Sequence, residues 1–456
     1  MKAMLRMANA GSHDSLPPAR ALLVAYLAQL VAPLVMVVDL ASYWRTAPVV
    51  GHFEEALFGA SVAWIALAVA MLCWARDRSR FLARAARPLL VFYGCCLALA
   101  LFEIAAALAP AREPTWYPPG HKYVLRSDPK LKPGIAPSAT FTVNEVGLRG
   151  PAMPAPGTYK IATVGGSTTE SADLDDTEEW PHLVMEDLNR AQPATPAWVA
   201  NAGVNGNNAV HHLALLQGLP ILRRMDALVF LVGGNDLDRT LVAEGAPTQA
   251  MLEYQAQYLL SFPNRPLFKR LAVVRLLHRA MIEIETRNRS EIEINWFVEK
   301  LRVRASAPRV PLPDLSVGLA EYAMRIHSLI SACRERQLRC VFLTQPTVWR
   351  PDLSPDDDKR LWAGCVGPSG AIHGCVSAGD LARAMDAYNR KLLDVCSEQK
   401  VECYDLAAAI PKSWTAFYDD MHFTRAGSKL VAEFVSSKLL AAPPFTHPLA
   451  GKDSVP

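Results

Sequence analysis

The sequence predicts an α/β fold with a parallel sheet, preceded by an N-terminal bundle of about three membrane-crossing helices. Three observations lead there. From residue 158 onward, short apolar runs alternate with helical stretches, and several of the runs end in glycine. Those runs are continuous rather than alternating, as expected of strands buried on both faces of a parallel sheet. The first 110 residues hold three long stretches nearly free of charge.

The N-terminal stretches come first. Residues 21–38 and 56–75 carry no charge, and residues 88–109 carry only Glu103. About 20 apolar helical residues cross the ~30 Å hydrocarbon layer. Segment 1 is the shortest, and Pro33 is placed to kink it. A cleaved signal peptide would explain segment 1 alone. No small-x-small cleavage site clearly follows it, and two further apolar segments do. Buried helices of a soluble protein are the other alternative. The loop between segments 2 and 3 carries Arg76, Arg78, Arg80, Arg84 and Arg87 against Asp77, and the arm before segment 1 carries Lys2, Arg6 and Arg20. Lys and Arg concentrate on the cytoplasmic side. The expected topology therefore puts the N-terminus inside and everything after about residue 110 outside, which in a bacterium is the periplasm or outer surface.

Residues 111–157 are proline-rich and read as an extended connector, with NEVGLRG (144–150) a turn before the first strand. The α/β domain is expected over 158–442, with a tail at 443–456. Its strands are YKIATV, WVANAGV, DALVFLVGG, RCVFLTQP and VECYDLA. Helices are expected near 178–191, 209–223, 317–337, 380–399 and 425–440. Two insertions interrupt the rhythm, at 238–315 and 351–379. The first contains PLFKRLAVVRLLHRAMIEI, with Lys269, Arg270, Arg275 and Arg279. It reads either as a solvated basic face packed on the domain or as a lid touching the membrane surface.

Six of the nine cysteines lie beyond the apolar spans, and an even number in a translocated domain suggests disulfides. Cys365–Cys375, closing a glycine-containing loop, is the expected pair. No C-x-x-C and no histidine at ligand spacing points to a metal. The net charge of +3 without a long basic run gives no reason to expect a nucleic-acid partner.

Four stretches at the ends of expected strands carry polar residues suited to acyl chemistry. In GGSTTE, Gly165 and Gly166 permit a tight turn, and Ser167 is either a helix cap or a nucleophile. In NAGVNGNN, Gly206 could offer its N–H to an oxyanion, or form a plain β-to-α turn. In LVGGNDL, Asn235 could donate its side-chain amide, or cap a helix. In YDDMHFTRAG, Asp419 and His422 stand three apart before a helix capped by Thr424. A carboxylate there can hold an imidazole tautomer. Asp420 is a rival carboxylate.

Together, in this order, the four stretches resemble the blocks of the SGNH (GDSL-type) hydrolase superfamily over residues 158–440, here as a membrane-anchored bacterial member. The first block reads GGS rather than GDS. The resemblance implies a three-layer α/β/α sandwich with a parallel sheet. It implies Ser167 as nucleophile, His422 as base, Asp419 as its orienting carboxylate, and the Ser167 amide, Gly206 and Asn235 as the oxyanion hole. No metal or organic cofactor is implied. Three functions follow as expectations. The first is a membrane-anchored extracytoplasmic esterase acting on O-acyl esters of glycans or lipids. The second is an O-acyltransferase modifying an exported polysaccharide, with a membrane partner supplying the acyl donor. The third is a non-catalytic glycan-binding or assembly protein.

Overall fold

The computed structural model describes residues 19–46, 52–75, 77–108, 115–243, 271–274, 276–277, 289–367 and 371–446. The chain divides into two compact units. One comprises residues 1–111 and 262–280, the other residues 112–261 and 281–456.

The first unit contains three stretches long and apolar enough to cross a membrane: Arg20–Ser42, Glu55–Trp74 and Arg78–Ala106, with mean hydropathies of 2.4, 2.2 and 2.2. Their side chains face mostly outward, as at Val24, Leu67 and Leu90. The first stretch breaks at Gln29–Leu30, between helices Ala19–Ala28 and Val31–Thr46. Pro33 explains the position of the break, since it has no N–H to give the carbonyl of Gln29 and its ring crowds that carbonyl. The helix of the third stretch starts at Arg78, ten residues before the apolar segment, so the arginine-rich run from Arg78 on is itself helical. Asp77 caps it, accepting from the Arg80 N–H at 3.1 Å, and arginine and alanine propagate it. Glu103, the one charge in the expected third segment, accepts from the N–H groups of Ala272 and Val273 at 2.7 and 3.1 Å. The four basic residues singled out in this insertion lie outside the described residues.

The second unit is built on a five-stranded parallel sheet. Its strands are β3 (Tyr159–Gly165), β4 (Ala197–Asn201), β5 (Ala227–Leu231), β6 (Arg339–Leu343) and β9 (Glu402–Tyr404), in the order β4-β3-β5-β6-β9. All five residues of β4 and of β5 are buried, as continuous apolar runs require when helices cover both faces. Helices Trp180–Ala191 and Arg425–Leu440 pack together in one layer. Helix Ser316–Glu335 packs with Ala209–Gly218 and Ala378–Gln399 in the other. This is the three-layer α/β/α sandwich. The chain leaves β3 for β4 on one side and returns to β5 on the other. The strand order therefore reverses between β3 and β5, where ligand crevices form in such sheets.

The proline-rich stretch is folded rather than merely extended. Two alternating runs in it, β1 (Lys122–Arg126) and β2 (Ser138–Thr142), pair antiparallel. Arg149 of the NEVGLRG turn then fixes the segment to the sheet. Its backbone bridges Asn201 at the end of β4, and its side chain, 1% exposed, forms ion pairs with Glu179 and Asp176 at 3.1 Å each. Cys365–Cys375 is bonded across the small β7–β8 ladder (Cys365–Val366, Gly374–Cys375), and a second disulfide joins Cys333 to Cys340. At the C-terminal end Phe445 is buried against Tyr159, so the packed domain extends past residue 442.

Candidate active site

Ser167 follows β3, and Asn235 follows β5, so both stand at the point where strand order reverses. Neither Gly165 nor Gly166 has a positive φ; Gly166 lies at −84°. Close packing, not unusual backbone geometry, demands glycine here. A Cβ on Gly165 would lie 2.1 Å from the Thr169 hydroxyl, and one on Gly166 would lie 2.2 Å from the Asn235 side-chain amide. Gly166 is the cap of the short helix Ser167–Glu170, and Ser167 is its first residue with no capping duty.

That helix ends at Ser171 in a left-handed conformation, φ 50°, which is costly for a residue with a Cβ. Its orphan carbonyls are all held from outside. Trp180 Nε1 donates to the Thr168 carbonyl at 3.2 Å, and Asn201 to that of Thr169 at 2.6 Å. Arg149 donates to the carbonyls of Glu170 and Ser171 at 2.8 and 3.0 Å. Buried carbonyls need such partners. The turn that presents Ser167 is thus clamped by residues from three other segments.

Ser167 Oγ lies 2.7 Å from His422 Nε2. His422 Nδ1 faces both Asp419 oxygens at 2.9 and 2.7 Å. Asp419 Oδ1 also accepts from the N–H groups of Met421 and His422, at 3.1 and 2.9 Å. Its Oδ2 accepts from Trp362 Nε1 at 3.0 Å. Burial opposes ionisation of Asp419, but the charge of His422 and the hydrogen bonds from His422 and the Met421 N–H outweigh it and hold the carboxyl below its usual range. An ionised acceptor fixes the proton on Nδ1 and leaves Nε2 free to accept. For His422, burial favours the neutral ring, and Asp419 outweighs burial to raise its pKa above the ordinary value.

The rival carboxylate has another duty. Asp420 accepts from Trp349 Nε1 and from the Trp362 N–H, each at 2.7 Å. Burial, then the charge of Asp419, pushes its pKa up to about 6. Thr424 caps helix Arg425–Leu440 by accepting from Gly427, as its position suggests.

Asn235 donates to the Asn207 carbonyl at 2.8 Å. Gly233 takes φ 112° to start helix Gly234–Val242, which carries Asn235. Gly206, at φ 75°, sits between Asn207 and Asn205, which lines a cavity beside Ser167 and His422. That cavity is a cleft open to solvent with room of about 70 Å³. A smaller one of about 10 Å³, lined by Asn207 and Asn235, meets Ser167 on another side.

Several neighbours could not be foreseen from motifs. Trp362, from the second insertion, stacks on His422 with ring centroids 6.2 Å apart. Tyr418 stacks on it too, at 5.6 Å. Trp296 and Phe297 line the larger cavity from helix Arg289–Ser306, which lies in the first insertion. Arg304 anchors that helix by donating to the Ala363 carbonyl at 2.6 Å.

Residues 163–430 match the model of the GDSL-like Lipase/Acylhydrolase family. Among solved structures, the chain is similar to the acetylxylan esterase Axe2 from Geobacillus stearothermophilus, at 15% identity and a TM-score of 0.36, covering 62% of this chain and 95% of that one. It is similar to the acetyl xylan esterase AlAXEase at 12% identity and a TM-score of 0.34, covering 62% and 99%. It is also similar to LAE5, an alpha/beta hydrolase from the metagenome of Lake Arreo, Spain, at 14% identity and a TM-score of 0.35, covering 63% and 96%. No curated protein matches the chain.

Proposed function

The chain belongs to the GDSL-like lipase/acylhydrolase family, and on that premise we propose that it is a membrane-anchored serine ester hydrolase working outside the cytoplasm on O-acyl esters of glycans or lipids. The observation that carries this reading is the 2.7 Å contact between Ser167 Oγ and a His422 whose other nitrogen is held by Asp419.

In this reading His422 Nε2 takes the Ser167 proton as Oγ adds to the ester carbonyl. The oxyanion is met by the N–H groups of Ser167 and Gly206 and by the Asn235 side chain. Collapse breaks the ester C–O bond, and the alcohol leaves with the proton from His422. Water then adds to the acyl-enzyme, giving its proton to His422. The second collapse breaks the bond to Ser167, which recovers a proton from His422, and the carboxylic acid departs. Placement outside the cytoplasm rests on the arginine-rich run before the third apolar helix. The two disulfides support an oxidising compartment.

The test uses the full chain in detergent, treated with a fluorophosphonate probe and with p-nitrophenyl acetate, beside Ser167→Ala and His422→Ala. Labelling and turnover lost in both variants are expected. A folded wild-type chain that neither labels nor turns over the ester overturns the reading.

A further inference from the structure

We infer that Cys396 and Cys403 form a third disulfide in the exported chain, tying helix Ala378–Gln399 to the edge strand β9. Both stand as thiols in this structure. The link would form whether or not Ser167 is a nucleophile, and so goes beyond the hydrolase reading. Two helix-to-strand units with the same backbone course point to it, and one of them is already bonded.

The bonded unit joins helix Ser316–Glu335 to β6. Cys333 lies in the last turn of the helix, Gln337 turns the chain at φ 54°, and Cys340 is the second residue of β6. The Gln337 N–H donates to the Arg334 carbonyl at 3.0 Å, and the Leu338 N–H to the Cys333 carbonyl at 3.0 Å. This is the paired bonding of a left-handed helix stop. Cys333 and Cys340 are bonded across it, with Cα atoms 6.3 Å apart. The second unit joins helix Ala378–Gln399 to β9. Cys396 lies in the last turn, Lys400 turns the chain at φ 52°, and Cys403 is the second residue of β9. The Lys400 N–H donates to the Ser397 carbonyl at 3.2 Å, and the Val401 N–H to the Cys396 carbonyl at 3.1 Å. Each position has its counterpart in the bonded unit, and the spacing of seven between the cysteines is the same.

The sheet register puts both strand cysteines on one face. Cys403 pairs with Phe342 of β6, and Cys340 lies two residues before Phe342. Residues two apart on a strand share a face. That face is the one covered by helices Ser316–Glu335 and Ala378–Gln399, which pack on each other. There the Cys403 thiol is hydrogen-bonded to the Cys396 thiol, and this contact, then burial, pushes its pKa above the ordinary range. A single buried thiol packs as a small hydrophobe. Two in contact, on a backbone course that carries a disulfide elsewhere in the chain, need only lose their hydrogens.

Cys396 is 1% exposed and Cys403 is half-buried, so Cys403 is the thiol that a disulfide donor reaches. Its thiolate attacks one donor sulfur, breaking the donor's disulfide and giving a mixed disulfide and one donor thiolate. The Cys396 thiolate then attacks the Cys403 sulfur and displaces the second donor thiolate. The donor, an oxidised dithiol protein or glutathione disulfide, takes up two electrons and the two protons that the cysteines gave up. The link stabilises β9, a strand of three residues at the edge of the sheet, from which the chain runs on to Asp419 and His422.

The experiment maps the full chain, exported by the cells that make it and purified in detergent without reductant. The chain is denatured with N-ethylmaleimide present and then cut with trypsin. Cleavage after Lys400 puts Cys396 and Cys403 on separate peptides, residues 392–400 and 401–412, which stay together only through a disulfide. Joined peptides that part on reduction are expected, beside bonded Cys333–Cys340 and Cys365–Cys375. Maleimide on both peptides while the other two pairs are bonded overturns the proposal. Maleimide on all six cysteines overturns it together with the placement outside the cytoplasm. Cys396→Ala/Cys403→Ala should also melt below wild type, by a margin that narrows once reductant has opened the wild-type bonds, as followed by the same map. A margin that reduction leaves unchanged overturns the stabilising role of the link.

Discussion

Replacing Trp362 by phenylalanine tests the relay most sharply, because it removes one hydrogen bond and keeps an aromatic ring against His422. In the native chain Asp419 Oδ2 has two donors, His422 Nδ1 at 2.7 Å and Trp362 Nε1 at 3.0 Å. The variant leaves it with His422 alone, in a site where Asp419 is 1% exposed. A hydrogen bond to a charged group contributes about 1.5–3 kcal/mol. Its loss raises the Asp419 pKa. The carboxylate becomes more basic and its bond to the imidazolium strengthens, so the His422 pKa rises as well. That second shift is smaller, because the lost donor acts through one intervening group. The base must be neutral to accept the Ser167 proton. Wild-type kcat/KM should therefore rise with pH through an apparent pKa above the ordinary histidine value, as the direction of the His422 shift requires. In Trp362→Phe the rise should occur at higher pH, with a plateau about tenfold lower from looser orientation of the ring. The assay is p-nitrophenyl acetate hydrolysis from pH 5 to 9, with melting temperature as a check on folding. An unshifted profile with a near-native plateau would refute a positioning role for Trp362. A lower plateau without the pH shift would reduce Trp362 to a packing residue.

Two other outcomes follow from the same geometry. Asn235→Ala should lower kcat by about 10²–10³ with a much smaller change in KM, because the amide is used most when the oxyanion forms; equal losses in binding and turnover would place it elsewhere in the reaction. Arg149→Met should cost about 3–5 kcal/mol, since it leaves Glu179 buried without its ion pair, and it also releases the Glu170 and Ser171 carbonyls. A melting temperature within a degree of wild type, read by circular dichroism in detergent, would show that the clamp on the Ser167 turn is dispensable.

The parts of this molecule legible in the sequence are those governed by local rules. Continuous apolar runs such as ALVFL announce strands buried on both faces, and D-x-x-H places a carboxylate beside an imidazole within one turn. Other features depend on contacts distant in sequence. Nothing near Arg149 shows that its guanidinium closes the helix holding Ser167, because its partners lie 21 to 30 residues on and become neighbours only after β3 and β4 pair. The choice between Asp419 and Asp420 was open for the same reason. Both neighbour His422 in sequence, and only the positions of Trp349 and Trp362 commit Asp420 to a different set of donors. The glycines before Ser167 carry a further lesson. Their role is to make room for Thr169 and Asn235, a requirement no local reading of backbone angles could supply.

The two insertions were the least readable segments, and their contribution explains why. Trp296, Phe297 and Trp362 form no local pattern; their role arises where the insertions meet over the carboxyl ends of the strands. Ser167 and Asn235 are fixed by the sheet, whose register is set by pairs such as Gly165 with Leu231. A residue on an insertion can change without altering that register, provided the insertion keeps anchors such as Arg304 on Ala363. In the proposed reaction the sheet ends bring Ser167 and Asn235 to the carbonyl, while the first insertion borders the cavity beside Ser167. Trp362 is the exception, because it touches Asp419 and His422 from the insertion side and also packs on Trp296. A ligand that shifts Trp296 would bear on the relay through that one indole.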